Sequence, residues 1–86
     1  MKLKPEFITH ITENEAMLVP LGSSSFHGIV RGNATLGKVL ELLKNETTED
    51  AITDAMCKIY NAPRETIAAD VHRAVEQLKE IGAIDD

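Results

Sequence analysis

Three histidines and one cysteine are the side chains of this 86-residue chain that are best suited to bind a metal or to act as a nucleophile. None of His10, His27 and His72 lies three or four residues from another histidine or from Cys57, so no local metal-ligand pair exists. A catalytic thiol would also need a base and an oxyanion site, and no motif supplies them. We therefore expect no metal, no cofactor and no covalent chemistry.

Two glycine-containing segments also lack the spacing of known catalytic and nucleotide-binding motifs. Gly22–Ser25 contains neither a Gly-x-Ser-x-Gly turn nor the Gly-Lys-Ser/Thr ending of a phosphate loop. Gly28–Gly32 has its glycines at the wrong spacing for a dinucleotide-binding turn. The chain has no Asp-Ser-Leu segment of the kind that marks a phosphopantetheine carrier. We expect a binding protein and not an enzyme.

The longest element that the sequence predicts is an amphipathic helix between Asn61 and Gly82. Pro63 suits its first turn, and Gly82 can adopt the left-handed conformation that ends a helix. Asp70 borders the apolar face, where it could pair with Arg73, cap a loop amide or contact a ligand directly. Apolar residues recur at helical spacing at Ile67, Val71, Ala74, Val75, Leu78 and Ile81.

Two shorter helices are predicted before it. Asn33 is a suitable N-cap for the first helix, and Gly37 inside that helix suggests close packing against a neighbour. Thr47 or Thr48 caps the second helix. The apolar positions are Leu36, Val39, Leu40 and Leu43 in the first helix, and Ile52, Ala55, Met56 and Ile59 in the second.

Three short β-strands are predicted in the first third of the chain, at Phe7–Ile11, Glu15–Leu21 and Phe26–Arg31. Pro20 has no N–H to donate, so we place it at a strand end or an edge. The sequence thus predicts an α+β fold over residues 1–86 as a single domain. It resembles a winged helix-turn-helix, with a three-stranded antiparallel sheet followed by three helices.

Charge and composition exclude several classes of function. The net charge is −5, and residues 45–86 hold ten acidic and four basic side chains, which disfavours binding to a phosphate backbone. No apolar run is long enough for a membrane span, and the first residues lack the apolar core of a signal peptide. A lone cysteine gives no internal disulfide. We expect a cytoplasmic protein that contacts neither nucleic acid nor membrane.

Segments over nearly the whole chain have the order and spacing of a known family, and the most specific part is Tyr60 to Gly82. The segments are Lys2–Phe7, Leu18–Gly22, Phe26, Asn33, Thr48–Asp50 with Ile52, Tyr60, Pro63 and Glu65, Asp70–Val71, Leu78 and Gly82. In these segments the chain resembles the PqqD-like family, the peptide chaperones and recognition elements for precursors of ribosomally synthesised, post-translationally modified peptides.

The resemblance implies a winged-helix-like protein that holds the leader segment of a precursor peptide and delivers it to a modifying enzyme, often a radical S-adenosylmethionine protein. It implies that the leader adds as a strand to the edge of the third strand and lies against the third helix. On the strand side we expect contacts from Phe26, Ile29, Val30 and Arg31. On the helix side we expect contacts from Asp70, Arg73, Ala74, Gln77 and Leu78.

Lys44–Thr48 stands where members of the pyrroloquinoline quinone pathway have an acidic-glycine turn, so we expect a different product.

Two other functions remain open. One is a small winged-helix transcription regulator, although its recognition helix would hold more acidic than basic residues. The other is an adaptor that docks on a protein without a peptide ligand. An open strand edge could also join two copies as a homodimer.

Overall fold

The computed structural model describes residues 1–21 and 28–85. It contains a three-stranded antiparallel sheet and three helices, which confirms the predicted α+β fold. The elements in chain order are β1 Lys2–Leu3, β2 Phe7–Ile11, β3 Glu15–Pro20, β4 Val30–Asn33, α1 Ala34–Leu42, α2 Glu49–Ile59, α3 Arg64–Glu80 and β5 Ile84–Asp85.

The main sheet is a meander in the order β2–β3–β4. In the first hairpin Ile11 pairs with Ala16, and Thr12 closes the turn by donating its N–H to the Glu15 carbonyl at 2.9 Å. In the second pair Leu18 lies opposite Val30. Strand β4 therefore forms one edge of the sheet within the described residues, as the prediction requires of the third strand.

The third strand begins later than the sequence prediction placed it. It starts at Val30 and continues to Asn33, whereas Phe26 lies outside the described residues. Pro20 explains why the pairing with β3 does not extend further back. The Leu21 N–H donates to the Glu6 carbonyl on the β2 side, at 2.7 Å, so the preceding nitrogen of Pro20 faces β4. That nitrogen has no hydrogen to donate.

The helix boundaries follow from side-chain and backbone caps. The Asn33 side chain accepts a hydrogen bond from the Leu36 N–H at the start of α1, as predicted. Of the two candidate threonines, Thr48 caps α2, since its hydroxyl accepts from the Ala51 N–H. Helix α3 starts directly after Pro63, and Gly82, with φ of 74°, follows its end. These caps confirm three helices at the predicted places.

One hydrophobic core lies between the inner face of the sheet and the three helices. It consists of Phe7, Ala16, Leu18, Val30, Leu36, Val39, Leu40, Leu43, Ile52, Met56, Ile67, Val71, Val75, Leu78, Ala83 and Ile84. Gly37 brings α1 close to the sheet, because a Cβ there would lie 3.1 Å from Ile11 Cγ2 and 3.3 Å from Ala16 Cβ. The predicted apolar face of α2 was wrong at one position. Ile59 is the last residue of that helix, and its side chain is exposed.

A second, two-stranded sheet was not predicted from the sequence. Strand β1 pairs with β5, with Leu3 opposite Ile84, and the Lys4 N–H donates to the Ala83 carbonyl at 2.8 Å. The Leu3 N–H donates to the Leu43 carbonyl, which ties this sheet to the end of α1. No helix in the described ranges is long and apolar enough to cross a membrane.

Candidate functional site

A cleft of about 260 Å³ lies between strand β4, the start of α1 and the middle of α3, and we call it the β4–α3 cleft. Its lining residues are Arg31, Gly32 and Asn33 from β4, Thr35 and Leu36 from α1, and Asp70, Arg73, Ala74 and Gln77 from α3.

Within residues 1–21 and 28–85, the strand side of the cleft offers main-chain groups that have no partner. Val30 and Gly32 lie opposite Leu18 and Ala16, whose N–H and C=O groups face β4. Because successive residues of a strand point their main-chain groups to opposite sides, the N–H and C=O of Arg31 face away from β3 and toward the open edge. Such an edge can accept another extended strand.

The helix side of the cleft is one face of α3. Asp70, Arg73, Ala74 and Gln77 are spaced three and four residues apart, so they lie on the same side of the helix. The Arg73 guanidinium donates a hydrogen bond to the Asp70 carboxylate, which was one of the roles considered for Asp70 from the sequence. Ala74 is the smallest of the four side chains and leaves the middle of this wall open.

The structure brings together five of the nine residues that were expected to contact a ligand, namely Arg31, Asp70, Arg73, Ala74 and Gln77. Ile29 directly precedes β4 and is 56% exposed. Val30 and Leu78 are buried in the core behind the cleft, so their side chains support its walls and do not face its opening. Phe26 lies outside the described residues.

The contribution of α1 to the cleft was not predicted from the sequence. Thr35 and Leu36 belong to its first turn, where Asn33 joins strand and helix with no intervening loop. A direct strand-to-helix connection places the first turn of α1 beside the end of β4. Had the strand been placed at Val30–Asn33 from the sequence, this neighbourhood would have followed.

A smaller pocket of about 120 Å³ adjoins the cleft, and we call it the Tyr60 pocket. It lies between the start of α1, the end of α2 and the first turns of α3. Its lining residues are Thr35, Met56, Tyr60, Ala62, Thr66, Ile67 and Asp70. Thr35 and Asp70 line both the pocket and the cleft.

Among the described residues, the side chains best suited to chemistry do not meet, and His27 lies outside that part of the chain. His10 is exposed on β2, and His72 is exposed on α3, where its Nδ1 lies 3.2 Å from the Glu49 carboxylate. Cys57 is half-buried and packs against the core. Among the described residues no group of three or more histidine, cysteine or acidic side chains could hold a metal ion.

Two of the three basic side chains of α3 are engaged by acidic neighbours. The Arg64 Nη1 atom lies 2.6 Å from Asp54 Oδ1, and the hydrogen bond to this carboxylate raises the pKa of the guanidinium above its ordinary value. Arg73 is paired with Asp70 at the cleft. The helix therefore presents little free positive charge to a ligand.

An α+β domain with an open strand edge beside a helix-walled cleft is the structural class that these features define. The chain matches the family described as coenzyme PQQ synthesis protein D (PqqD) over residues 15–84, and it belongs to that family. Among solved structures it is similar to TbiB1, whose structure was determined in complex with the TbiA(beta) leader peptide. The sequences are 24% identical, the TM-score is 0.75, and the match covers 99% of this chain and 100% of TbiB1. No curated protein matches the chain.

Proposed function

We propose that this protein is a peptide chaperone that binds the leader segment of a ribosomally synthesised precursor peptide and presents it to a modifying enzyme. The observation that carries the proposal is the open edge of β4 beside the β4–α3 cleft. Membership of the PqqD family and the leader peptide in the TbiB1 structure both support it.

Strand addition is the mode of binding that this geometry favours. An extended leader would exchange main-chain hydrogen bonds with Arg31, which supplies affinity without demanding a particular sequence. Its alternate side chains would lie over the cleft, where Asp70, Ala74 and Gln77 select among them. Ile29, exposed beside the strand, would cover the guest from the other face of the sheet.

The role is binding without catalysis, and the chemistry belongs to the partner enzyme. Membership of the PqqD family supports this division. A radical S-adenosylmethionine protein is the class of modifying enzyme that we propose. The segment Lys44–Thr48 departs from the acidic-glycine turn that the resemblance implies for members of the quinone pathway, and on this ground we propose a product other than pyrroloquinoline quinone.

A winged-helix DNA-binding role is less well supported by the charges on α3. The basic residues of that helix are Arg64, Arg73 and Lys79, and the acidic ones are Glu65, Asp70, Glu76 and Glu80. Since both arginines of α3 are already paired with carboxylates, the helix would be repelled by phosphates. An adaptor without a peptide ligand would leave the open edge of β4 unused.

An amide chemical-shift titration tests the proposal. The isotope-labelled protein is titrated with leader peptides from short open reading frames near its gene, with a scrambled leader and a DNA duplex as controls. We expect a matching leader to shift amides in 29–33 and 70–77, while both controls leave them unchanged. Shifts produced by DNA, weakening as salt rises, would overturn the proposal in favour of a regulator.

A further inference from the structure

The Tyr60 pocket has a shape and lining suited to a single apolar side chain. Its inner wall is formed by Met56 and Ile67, which are 1% and 5% exposed and belong to the core. Tyr60 is half-buried beside them, while Thr66 and Ala62 are exposed at the opening. An apolar interior with an accessible opening favours entry of an apolar group from solvent.

The volume of the pocket limits the size of that group. A cavity of about 150 Å³ lined by apolar side chains can hold benzene. At about 120 Å³, the Tyr60 pocket has room for a side chain the size of valine, leucine or isoleucine, and too little for tryptophan. The apolar inner wall would make entry of an acidic side chain costly.

The pocket continues from the β4–α3 cleft, because Thr35 and Asp70 line both. It lies beyond Asn33, the last residue of β4, on the side of the α1 N-terminus. Antiparallel pairing is the commoner arrangement of neighbouring strands. A guest strand running antiparallel to β4 would reach this place with residues that precede its paired stretch.

We propose that the Tyr60 pocket is a specificity subsite that takes one aliphatic side chain of the leader, from a residue on the N-terminal side of the stretch that pairs with β4. This inference rests on the proposed function, because it requires a peptide in the cleft. The edge of β4 then supplies affinity for an extended chain of any sequence. The pocket selects the leader that carries an aliphatic residue at the required distance.

A first experiment probes the pocket without a leader. The probes are N-acetyl-leucine methylamide and the matching alanine and glutamate compounds, observed through the methyl resonances of Ile67 and Met56. We expect the leucine compound to shift both methyls, with an apparent affinity about tenfold above that of the alanine compound. Thr66→Met fills the opening and should abolish the shifts, whereas Ala69→Met, on an exposed position of α3 outside the pocket, should not.

A second experiment uses a leader that binds. Replacing its aliphatic residues by alanine, one at a time, should reveal one residue before the paired stretch whose loss weakens binding about tenfold. The same replacement should have no effect on binding to the Thr66→Met protein. Ala62→Leu fills the pocket from another wall and repeats the test should Thr66→Met fold poorly.

The outcomes separate the two proposals. A leader that binds wild type and Thr66→Met equally, with no sensitive aliphatic residue before the paired stretch, would overturn the subsite and leave leader binding intact. Failure of every leader to bind would overturn the proposed function. In that case the leucine compound still decides whether the pocket accepts an aliphatic group. If it leaves the methyl resonances of Ile67 and Met56 unchanged, the pocket does not accept one.

Discussion

Ala74 and Leu78 lie one turn apart on α3, yet their surroundings differ. Ala74 is half-buried and lines the β4–α3 cleft, while Leu78 is fully buried in the core. A substitution at Ala74 should therefore affect ligand binding, and one at Leu78 should affect the stability of the fold. This contrast makes the two residues a useful pair for separating binding from stability.

Ala74→Tyr should obstruct the cleft. The phenol ring would occupy the space between α3 and β4, so we expect leader affinity to fall by about tenfold or more, which corresponds to about 1.4 kcal/mol. Ala69→Tyr is the matched control, since Ala69 is exposed on the same helix and lies outside the cleft. Calorimetric titration measures the affinity. Equal weakening by both variants would contradict the assignment of the cleft.

Leu78→Ala should destabilise the fold without changing the site itself. Removing a fully buried leucine side chain typically lowers the free energy of unfolding by about 2–5 kcal/mol, because a cavity remains. Urea denaturation measures this loss. The fraction that stays folded should bind the leader with unchanged affinity. A stable variant with weakened binding would instead place Leu78 in the cleft.

At the scale of the elements, helix α2 begins at a specific cap. The sequence offered two threonines, and the structure selects Thr48, whose hydroxyl accepts from the Ala51 N–H at 3.1 Å. The Thr47 hydroxyl accepts no hydrogen bond from the first turn of α2, and its backbone N–H donates to the Met1 carbonyl. The start of α2 therefore depends on one side chain of this pair.

Thr48→Ala should lower the free energy of unfolding by about 1 kcal/mol, because the cap of α2 is lost. Thr47→Ala is the control and should cost clearly less, since its backbone hydrogen bond survives the change. Thermal denaturation of the two variants gives the comparison. A larger loss for Thr47→Ala would show that the α2 cap is assigned to the wrong residue.

The helices could be predicted from sequence because each has a periodic apolar face and local stop signals, such as Gly82 after α3. The same periodicity could not show that Ile59 is exposed or that Leu78 lies behind the cleft, since spacing identifies a helix face and not what covers it.

Strand β4 was placed too early because its start depends on pairing with β3, which Pro20 limits. Long-range pairing is absent from a local pattern.

At the scale of the whole molecule, the first and last strands of the described chain meet. Strand β1 pairs with β5, and the Met1 ammonium group donates to the Glu46 carboxylate and to the Thr47 carbonyl. These contacts hold the start of the chain against the turn before α2. The short pieces that make them carry too weak a pattern to be predicted separately, because two-residue strands have no measurable periodicity.

The Glu46 contact gives stability a dependence on pH. Hydrogen bonding to the Met1 ammonium lowers the pKa of Glu46 below its ordinary value of 4.5. A lowered pKa in the folded state contributes stability above about pH 4.5, and that contribution disappears as the pH falls through the lower, folded-state pKa. Glu46→Gln should thus be less stable than wild type near pH 6, and the difference should shrink near pH 3 in urea denaturation. A difference that grows at low pH would contradict this account.

The open edge of β4 could also join two copies of the chain, edge to edge, and a homodimer of this kind would compete with the leader. We expect the leader to displace it. Sedimentation at increasing protein concentration, with and without leader, measures this competition. A dimer that persists with bound leader would mean that the copies join elsewhere.

The most direct test of strand addition at β4 is amide hydrogen exchange at Arg31, followed residue by residue with and without a bound leader. The Arg31 N–H faces the open edge, whereas the N–H groups of Val30 and Gly32 already face β3. We predict that the leader slows exchange at Arg31 strongly and changes exchange at Val30 and Gly32 far less. A leader that binds while Arg31 exchange is unchanged would contradict strand addition at this edge.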